Sequence, residues 1–341
     1  MASQVRSCSN TECRFATDGK CVEGYPLEEC PHLNPISVED IDEVEEAPIV
    51  QEGDRVMALA SGEALDRAQA SVLQRRRTSR AIAIIGPNDA GKTSLIASVY
   101  DRLQDGPVAG AGFAGSSTLI GFEKVCHDAR AASRRGVPHT ERTSVGADAT
   151  FFHLDLRPSG DELVSLFIGD RSGEDYLSVT DEIARASEFF ELKRADTVTL
   201  LVNGEHLASS EHRHEVKAIT PQLVEALVEG GAIRRGSRLA VVLTKQDAVL
   251  TSANSDRVQR EFDEMVTAIA ERHRNHVAEV EPFIVAASPK DTAKVCRGEG
   301  VDKLLLYWLR AAAPSAPELA TNPGVATRMI DLLAGDRERR A

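Results

Sequence analysis

"AIAIIGPNDAGKTSLIASVY", residues 81–100, decides the fold. Ala81 to Ile85 form an uninterrupted apolar run into Gly86, the pattern of a parallel strand buried on both faces. Four residues later come Gly91, Lys92 and Thr93, and then an apolar pattern at helical spacing as far as Leu103. Strand, G-x-x-x-x-G-K-[ST] and helix in that order predict a phosphate-binding loop. Glycines let backbone N–H groups wrap a phosphate, and the helix N-terminus adds favourable potential. Gly86, Asp89, Ala90, Gly91, Lys92, Thr93 and Ser94 are the candidate loop residues, with Lys92 reaching the β and γ phosphates and the Thr93 hydroxyl binding Mg²⁺. The loop by itself does not separate ATP from GTP.

Strands and helices alternate outward from this stretch. "TFFHLDLR" (150–157) and "ELVSLFIGD" (162–170), separated by Pro158-Ser159-Gly160, read as a hairpin that puts one antiparallel strand into an otherwise parallel sheet. "TVTLLV" (197–202), "RLAVVLT" (238–244) and "PFIVAA" (282–287) are further buried strands, with helical segments such as 221–230 and 256–273 between them. The expected fold is therefore α/β, a doubly wound, mostly parallel six-stranded P-loop sheet with one antiparallel strand. A last apolar helix, 301–310, carries the single tryptophan, Trp308, packed on the sheet.

Strand ends are where ligands bind in such a sheet, and two more motifs fall there. "TKQD" places Thr244, Lys245 and Asp247 after a strand. A carboxylate at Asp247 accepts hydrogen bonds from guanine N1–H and the 2-amino group, and the Lys245 stem lies over the base; adenine would leave the carboxylate desolvated and unpaired. "DRSG" places Asp170 to touch the metal through water and the Gly173 N–H to meet the γ-phosphate, whose loss releases the loop. Ser288, after the last strand, is the candidate for the remaining base contact. Glu174 stands where a water-positioning residue is expected, and a carboxylate beside a γ-phosphate predicts slow hydrolysis. Asp89 occupies a loop position compatible with a monovalent cation, so K⁺ dependence is an open expectation.

The insert between the first helix and the hairpin, 106–149, should supply a threonine for Mg²⁺ and the γ-phosphate. Thr140 and Thr143 are the candidates, with Thr143 preferred; Arg142 reads first as a surface residue and second as a charge stabiliser.

Composition sets the bounds. A net charge of −13 argues against bulk binding to nucleic acid or anionic membrane, and the arginine clusters at 75–80 and 130–142 read as solvated faces. No apolar run approaches the roughly 20 residues of a membrane span, and the N-terminus lacks the apolar stretch of a signal peptide, so a reducing cytoplasm is expected. Four of the six cysteines, Cys8, Cys13, Cys21 and Cys30, fall in the first 30 residues, with His32 as a spare ligand. They predict a small Zn²⁺ module over 1–35, although their spacings do not match paired C-x-x-C fingers. An acidic linker follows (36–60). The main domain (61–312) opens with a helix capped by Ser61 that turns Leu65, Ala68 and Val72 to one face, and a peripheral tail (313–341) ends the chain. Cys126 and Cys296 read as ordinary buried residues, and His206, His212, His214, His273 and His276 as solvated surface.

"GPNDAGKTSLIASVYDRLQDGPVAGAGFAGSSTLIGFEKVCHDAR", "PHTERTS" and "LFIGDRSGEDY", within residues 86–176, resemble the bacterial double-GTPase (DO-GTPase) families of the TRAFAC class found in conflict and defence systems. "FAGSSTLIGFE" is the most distinctive part, and the likeness extends more loosely through "TKQD" to Ser288. The resemblance implies a GTP-driven regulatory component that works with separate effector or GTPase-activating proteins, and a cysteine-containing N-terminal segment. Two other readings stay open: a nucleotide-binding scaffold that never hydrolyses, suggested by Glu174, and an ATP-using enzyme in which "TKQD" is accidental. Oligomeric state is not legible.

Overall fold

The computed structural model describes residues 6–8, 33–35, 60–134, 146, 148–158, 162–290 and 295–311, without side-chain detail at 6–8, 33–35 and 128–134. The chain divides into two compact units, Met1–Leu59 and Ala60–Ala341. In the first, strand β1 (Arg6–Cys8) pairs antiparallel with β2 (Leu33–Pro35), Cys8 opposite Leu33. Cys13, Cys21, Cys30 and His32 lie outside the described residues, as do Thr140, Arg142, Thr143 and the segments 36–59 and 312–341.

The second unit is built on a seven-stranded sheet rather than the expected six, in the order Gly112–Gly115 (β4), Thr150–Arg157 (β5), Val164–Asp170 (β6), Ser79–Ile85 (β3), Thr197–Asn203 (β7), Arg238–Thr244 (β8) and Glu279–Ile284 (β9). The central strands are β3 (Ser79–Ile85), β6 (Val164–Asp170), β7 (Thr197–Asn203) and β8 (Arg238–Thr244), with β9 (Glu279–Ile284) at one edge. All five are mutually parallel. Only β5 (Thr150–Arg157) runs against the rest, antiparallel to β6 on one side and to β4 (Gly112–Gly115) on the other. The extra strand is β4. It is four residues of "GFAG" from the insert, joined to β5 through an irregular register, and its glycines gave no strand signal.

Alternation along β3 explains its unbroken apolar run. Ile82 and Ile84 enter the core on one face, with helix α2 (Lys92–Asp105), helix α3 (Leu119–Arg134) and Trp308. Ala83 and Ile85 enter the core on the other face. Trp308 is fully buried and donates from its indole N–H to Thr199 Oγ1 at 2.9 Å, so its one polar atom is satisfied. From β3 the chain passes to β6 on one side and later to β7 on the other. The carboxyl end of β3 is thus a topological switch point, where open α/β sheets hold ligands.

Three readings are corrected. The leading helix, α1 (Arg67–Gln74), is capped by Asp66 in a capping box with Gln69, not by Ser61; this start turns Ala70 inward, whereas Ala68 and Val72 are exposed. Leu65 is buried, but as a bridge partner of Phe151 ahead of the helix. Cys126 is buried and Cys296 is exposed. His273 is buried at the end of the helix Ser255–His273, because its own helix face turns into the core there.

Candidate functional site

Three chain segments converge at the carboxyl ends of β3, β6 and β8. The first is the loop Gly86–Gly91. Its backbone takes a left-handed turn at Asp89 (φ 58°) and again at Gly91 (φ 91°), which caps α2; glycine carries that geometry without a Cβ clash. Neighbouring strands strap the loop from outside. Asn203, at the end of β7, donates from Nδ2 to Asp89 O (2.9 Å), and Thr244 Oγ1, at the end of β8, donates to Ala90 O (2.9 Å). Lys92 reaches back from the first helical turn, and its Nζ donates to the carbonyls of Gly86 (3.1 Å) and Pro87 (3.2 Å). Burial lowers the Lys92 pKa, and the nearby Asp170 carboxylate opposes that shift. Thr93 and Ser94 follow on the same turn and are half-buried.

The second segment is Asp170–Gly173. Asp170 ends β6 and is buried. Gly173 opens helix α4 (Gly173–Asp181) so close to the phosphate loop that a Cβ there would lie 2.7 Å from Asn88 N and Pro87 C. Glu174 is exposed, and its Oε1 accepts a hydrogen bond from Asn88 Nδ2 at 2.5 Å. One helical residue on, Asp175 accepts the Gly146 N–H with both oxygens (3.0 and 3.2 Å), tying α4 to the end of the long insert. The segment is anchored below by Arg171. Its guanidinium donates to buried Glu191 (Nε–Oε1 2.8 Å) and lies over the Phe189 ring, while Tyr176 O–H donates to the same Glu191 oxygen (3.1 Å). Burial, then the Glu191 charge, raises the Tyr176 pKa well above the usual phenol value, so the hydroxyl keeps its proton.

The third segment is Thr244–Asp247. Lys245 adopts a left-handed backbone (φ 55°), and its Nζ donates to Asp89 Oδ2 (2.6 Å) and to Glu205 Oε2 (3.0 Å). Asp247 is buried, and its Oδ2 accepts the backbone N–H of Lys290 (2.8 Å), which connects it to the loop holding half-buried Ser288. Lys290 Nζ returns to Glu205 Oε1 at 2.9 Å. Burial alone would raise the Glu205 carboxyl, but hydrogen bonds from Lys290 and Lys245 hold it at about 2.

The structure therefore brings together the predicted residues of the phosphate loop, Asp170, Gly173, Glu174, Thr244, Lys245, Asp247 and Ser288. It adds Asn88, Asn203, Glu205 and Lys290. Asp89, at the loop position compatible with a monovalent cation, is the ion-pair partner of Lys245, with His206 Nε2 at 3.9 Å from the same oxygen. Neither Lys290 nor Glu205 had a sequence signal, because the partners of Glu205 lie 40 and 85 residues away. Among the described residues no helix is long and apolar enough to cross a membrane.

The family model described as Double-GTPase 2 matches residues 80–309. No curated protein matches the chain. Among solved structures the chain is similar to the signal recognition particle receptor SRb-GTP/SRX complex from Chaetomium thermophilum, at 14% identity and a TM-score of 0.37, covering 68% of this chain and 96% of that one. It is also similar to the S. cerevisiae Ski7 GTPase-like domain bound to GTP, at 12% identity and a TM-score of 0.40, covering 74% of this chain and 54% of that one.

Proposed function

The chain belongs to the Double-GTPase 2 family, and from that premise we propose that it is a Mg²⁺-dependent GTP switch with slow hydrolysis. The observation that carries this reading is the convergence of three strand-end segments, strapped to one another by Thr244, Asn203 and the close approach of Gly173. Gly86 to Ser94 bind the phosphates, Lys92 exchanges its loop carbonyls for phosphate oxygens, and Gly173 senses the γ-phosphate. Asp247 reads guanine between Lys245 and Ser288. Thr93 and Asp170, with Thr143 from the insert, offer the hard oxygen donors that suit Mg²⁺, which supplies charge neutralisation at the phosphates when bound. Glu174 leaves intrinsic hydrolysis slow, so a GTPase-activating or effector protein completes the cycle.

By analogy with the resemblance in residues 86–176, the switch regulates a conflict or defence system in the cytoplasm. Residues 1–35 form a separate module in which Cys8, Cys13, Cys21 and Cys30 hold Zn²⁺, followed by a linker (36–60), the GTPase domain (61–312) and a peripheral tail. A second reading, a scaffold that binds without hydrolysing, draws on the engagement of Glu174 by Asn88.

A fluorescent GTP analogue with Mg²⁺, competed by GTP, ATP and XTP on wild type and Asp247→Asn, tests the first reading. GTP preference that moves toward XTP in the variant supports it. Equal competition by ATP, unchanged by the substitution, sinks it. Multiple-turnover phosphate release with and without K⁺ separates the switch from the scaffold and tests the cation expectation.

A further inference from the structure

Helix α5 (Gly204–Ala208) follows β7 and, with its cap, touches the phosphate loop, the Thr244–Asp247 loop and the 288–290 loop. Its cap, Asn203, accepts the His206 N–H at Oδ1 (3.1 Å) while its amide nitrogen donates to Asp89 O in the phosphate loop (2.9 Å). Gly204 packs so tightly on the base-reading loop that a Cβ would lie 2.4 Å from Thr244 O and 2.7 Å from the Val249 side chain. Glu205 then divides its two oxygens between two loops. Oε2 takes Lys245 (3.0 Å) and Oε1 takes Lys290 (2.9 Å), whose backbone N–H holds Asp247 Oδ2 (2.8 Å).

We propose that Glu205 is a specificity-determining positioning residue, a clamp that fixes Lys245 and, through Lys290, the Asp247 carboxylate in the geometry that reads a guanine. This deepens the proposed function and rests on it. Asp247 and the 288–290 loop sit at the ends of different strands, β8 and β9, and Glu205 ion-pairs with a lysine from each loop. A carboxylate has room for about four hydrogen bonds, so Asp247 Oδ2 can keep the Lys290 N–H and still accept from a base. Discrimination by Asp247 depends on the carboxylate being held in register with two donors at once, guanine N1–H and the 2-amino group. Hypoxanthine offers only the first. Glu205 stays ionised throughout the range in which the protein would work, because its two lysine partners keep its carboxyl at about 2. Charge-assisted hydrogen bonds of this kind are roughly twice as strong as neutral ones, which is why a glutamine in the same place is a weaker clamp.

The test uses the full chain and displacement of a fluorescent GTP analogue, with Mg²⁺, by GTP and by ITP, for wild type, Glu205→Gln, Lys290→Met and the double variant. Glu205→Gln is expected to weaken GTP about tenfold, the scale of one charge-assisted hydrogen bond, and to weaken ITP less, so that the preference for GTP over ITP narrows. Lys290→Met is expected to narrow the same preference, and the double variant to be no worse than the poorer single. A merely structural glutamate would weaken GTP and ITP by the same factor, and that result overturns the proposal, as does unchanged GTP affinity. Lys290 is exposed, so Lys290→Met gives the answer even where Glu205→Gln compromises folding. A wild type with no preference for guanine overturns the GTP reading along with the clamp. A guanine-selective wild type whose preference survives both substitutions overturns the clamp alone.

Discussion

Gly173→Ala adds one methyl group at the tightest contact between the γ-phosphate-sensing segment and the phosphate loop. The new Cβ would stand 2.7 Å from Asn88 N and Pro87 C and 2.8 Å from Gly86 O, all of them backbone atoms. Ordinary contact begins near 3.4 Å, so the two segments must part by roughly 0.7 Å. Gly173 is not among the left-handed positions, so the whole effect comes from space rather than backbone strain. Neither side yields easily: the loop is tied down by Thr244 and Asn203, and α4 by the Arg171–Glu191 pair and the Asp175–Gly146 bonds. Overpacking of this kind costs about 1–3 kcal/mol. At about 2–4 °C per kcal/mol for a domain of this size, Tm should fall by roughly 2–12 °C. The functional effect should be larger. Moving the residue 173 N–H away from a γ-phosphate removes a hydrogen bond to a charged group, worth about 1.5–3 kcal/mol, so the preference for a GTP analogue over GDP should fall by roughly 10- to 150-fold. GDP affinity should stay near wild type, because GDP has no γ-phosphate. The assay is competition of a non-hydrolysable GTP analogue and GDP against a fluorescent nucleotide, alongside thermal unfolding. A variant that melts lower but keeps the wild-type GTP-to-GDP ratio would refute Gly173 as the sensor.

Other substitutions probe the rest of the site. Lys92→Ala removes a buried ammonium and should lower GTP affinity by about 100-fold in equilibrium titration, on the scale of two charge-assisted hydrogen bonds, and GDP affinity by about tenfold, since only the β-phosphate contact is lost there. Glu191→Ala leaves Arg171 buried without its carboxylate partner and Tyr176 O–H without that acceptor; breaking such a pair costs about 3–5 kcal/mol, to be read from denaturant midpoints. Stability should also fall with acid. Burial lowers the His153 pKa below its ordinary 6.5, with Asp155 opposing, and burial likewise lowers His206 and His273. A histidine with a lowered folded-state pKa binds fewer protons when folded, so its contribution is complete above about pH 6.5 and is lost as pH falls below it. His153→Gln should flatten that slope, because it removes a ring whose Nδ1 accepts the Ser117 N–H (3.0 Å) and so resists protonation there. Chemical denaturation at several pH values checks it.

The central strands were legible because burial on both faces writes an apolar run into sequence, and the strand-end motifs were legible because their spacing is fixed by the chemistry of phosphate and guanine. What escaped reading was set by distant neighbours. Asn203 meets Asp89 across 114 positions, and Asn88 meets Glu174 across 86. Strand β4 escaped for the opposite reason. Two of its four residues are glycine, its Phe113 is partly exposed, and β5 rather than its own propensity holds it in the sheet. At the leading helix, Ser61 offered a plausible hydroxyl, yet the reciprocal Asp66–Gln69 box satisfies two backbone donors and therefore sets the start. His273 was misjudged because polar composition along a helix says little about the face its last turn presents.

Backbone strain gives an independent way to weigh the site. Among the described residues three that are not glycine have positive φ: Asp89, Ala109 and Lys245. A left-handed backbone costs an L-residue roughly 1–2 kcal/mol, so each must be held by something else. Ala109 is held by the reciprocal Val108–Ala111 backbone pair around it, which is a sufficient local reason and asks for no function. Asp89 and Lys245 lack such a pair, lie 156 positions apart, and are joined through their side chains at 2.6 Å. Two strained residues from different strand ends that meet each other are the mark of loops held in a preset shape. Strain alone would have chosen three positions, and only its coincidence with convergence picks out the two that face the nucleotide in the proposed function. Lys245→Ala should therefore act beyond its own lost contact with a base: without the ammonium, Asp89 loses its close ion-pair partner, and the phosphate loop loses one of the ties that fix its turn.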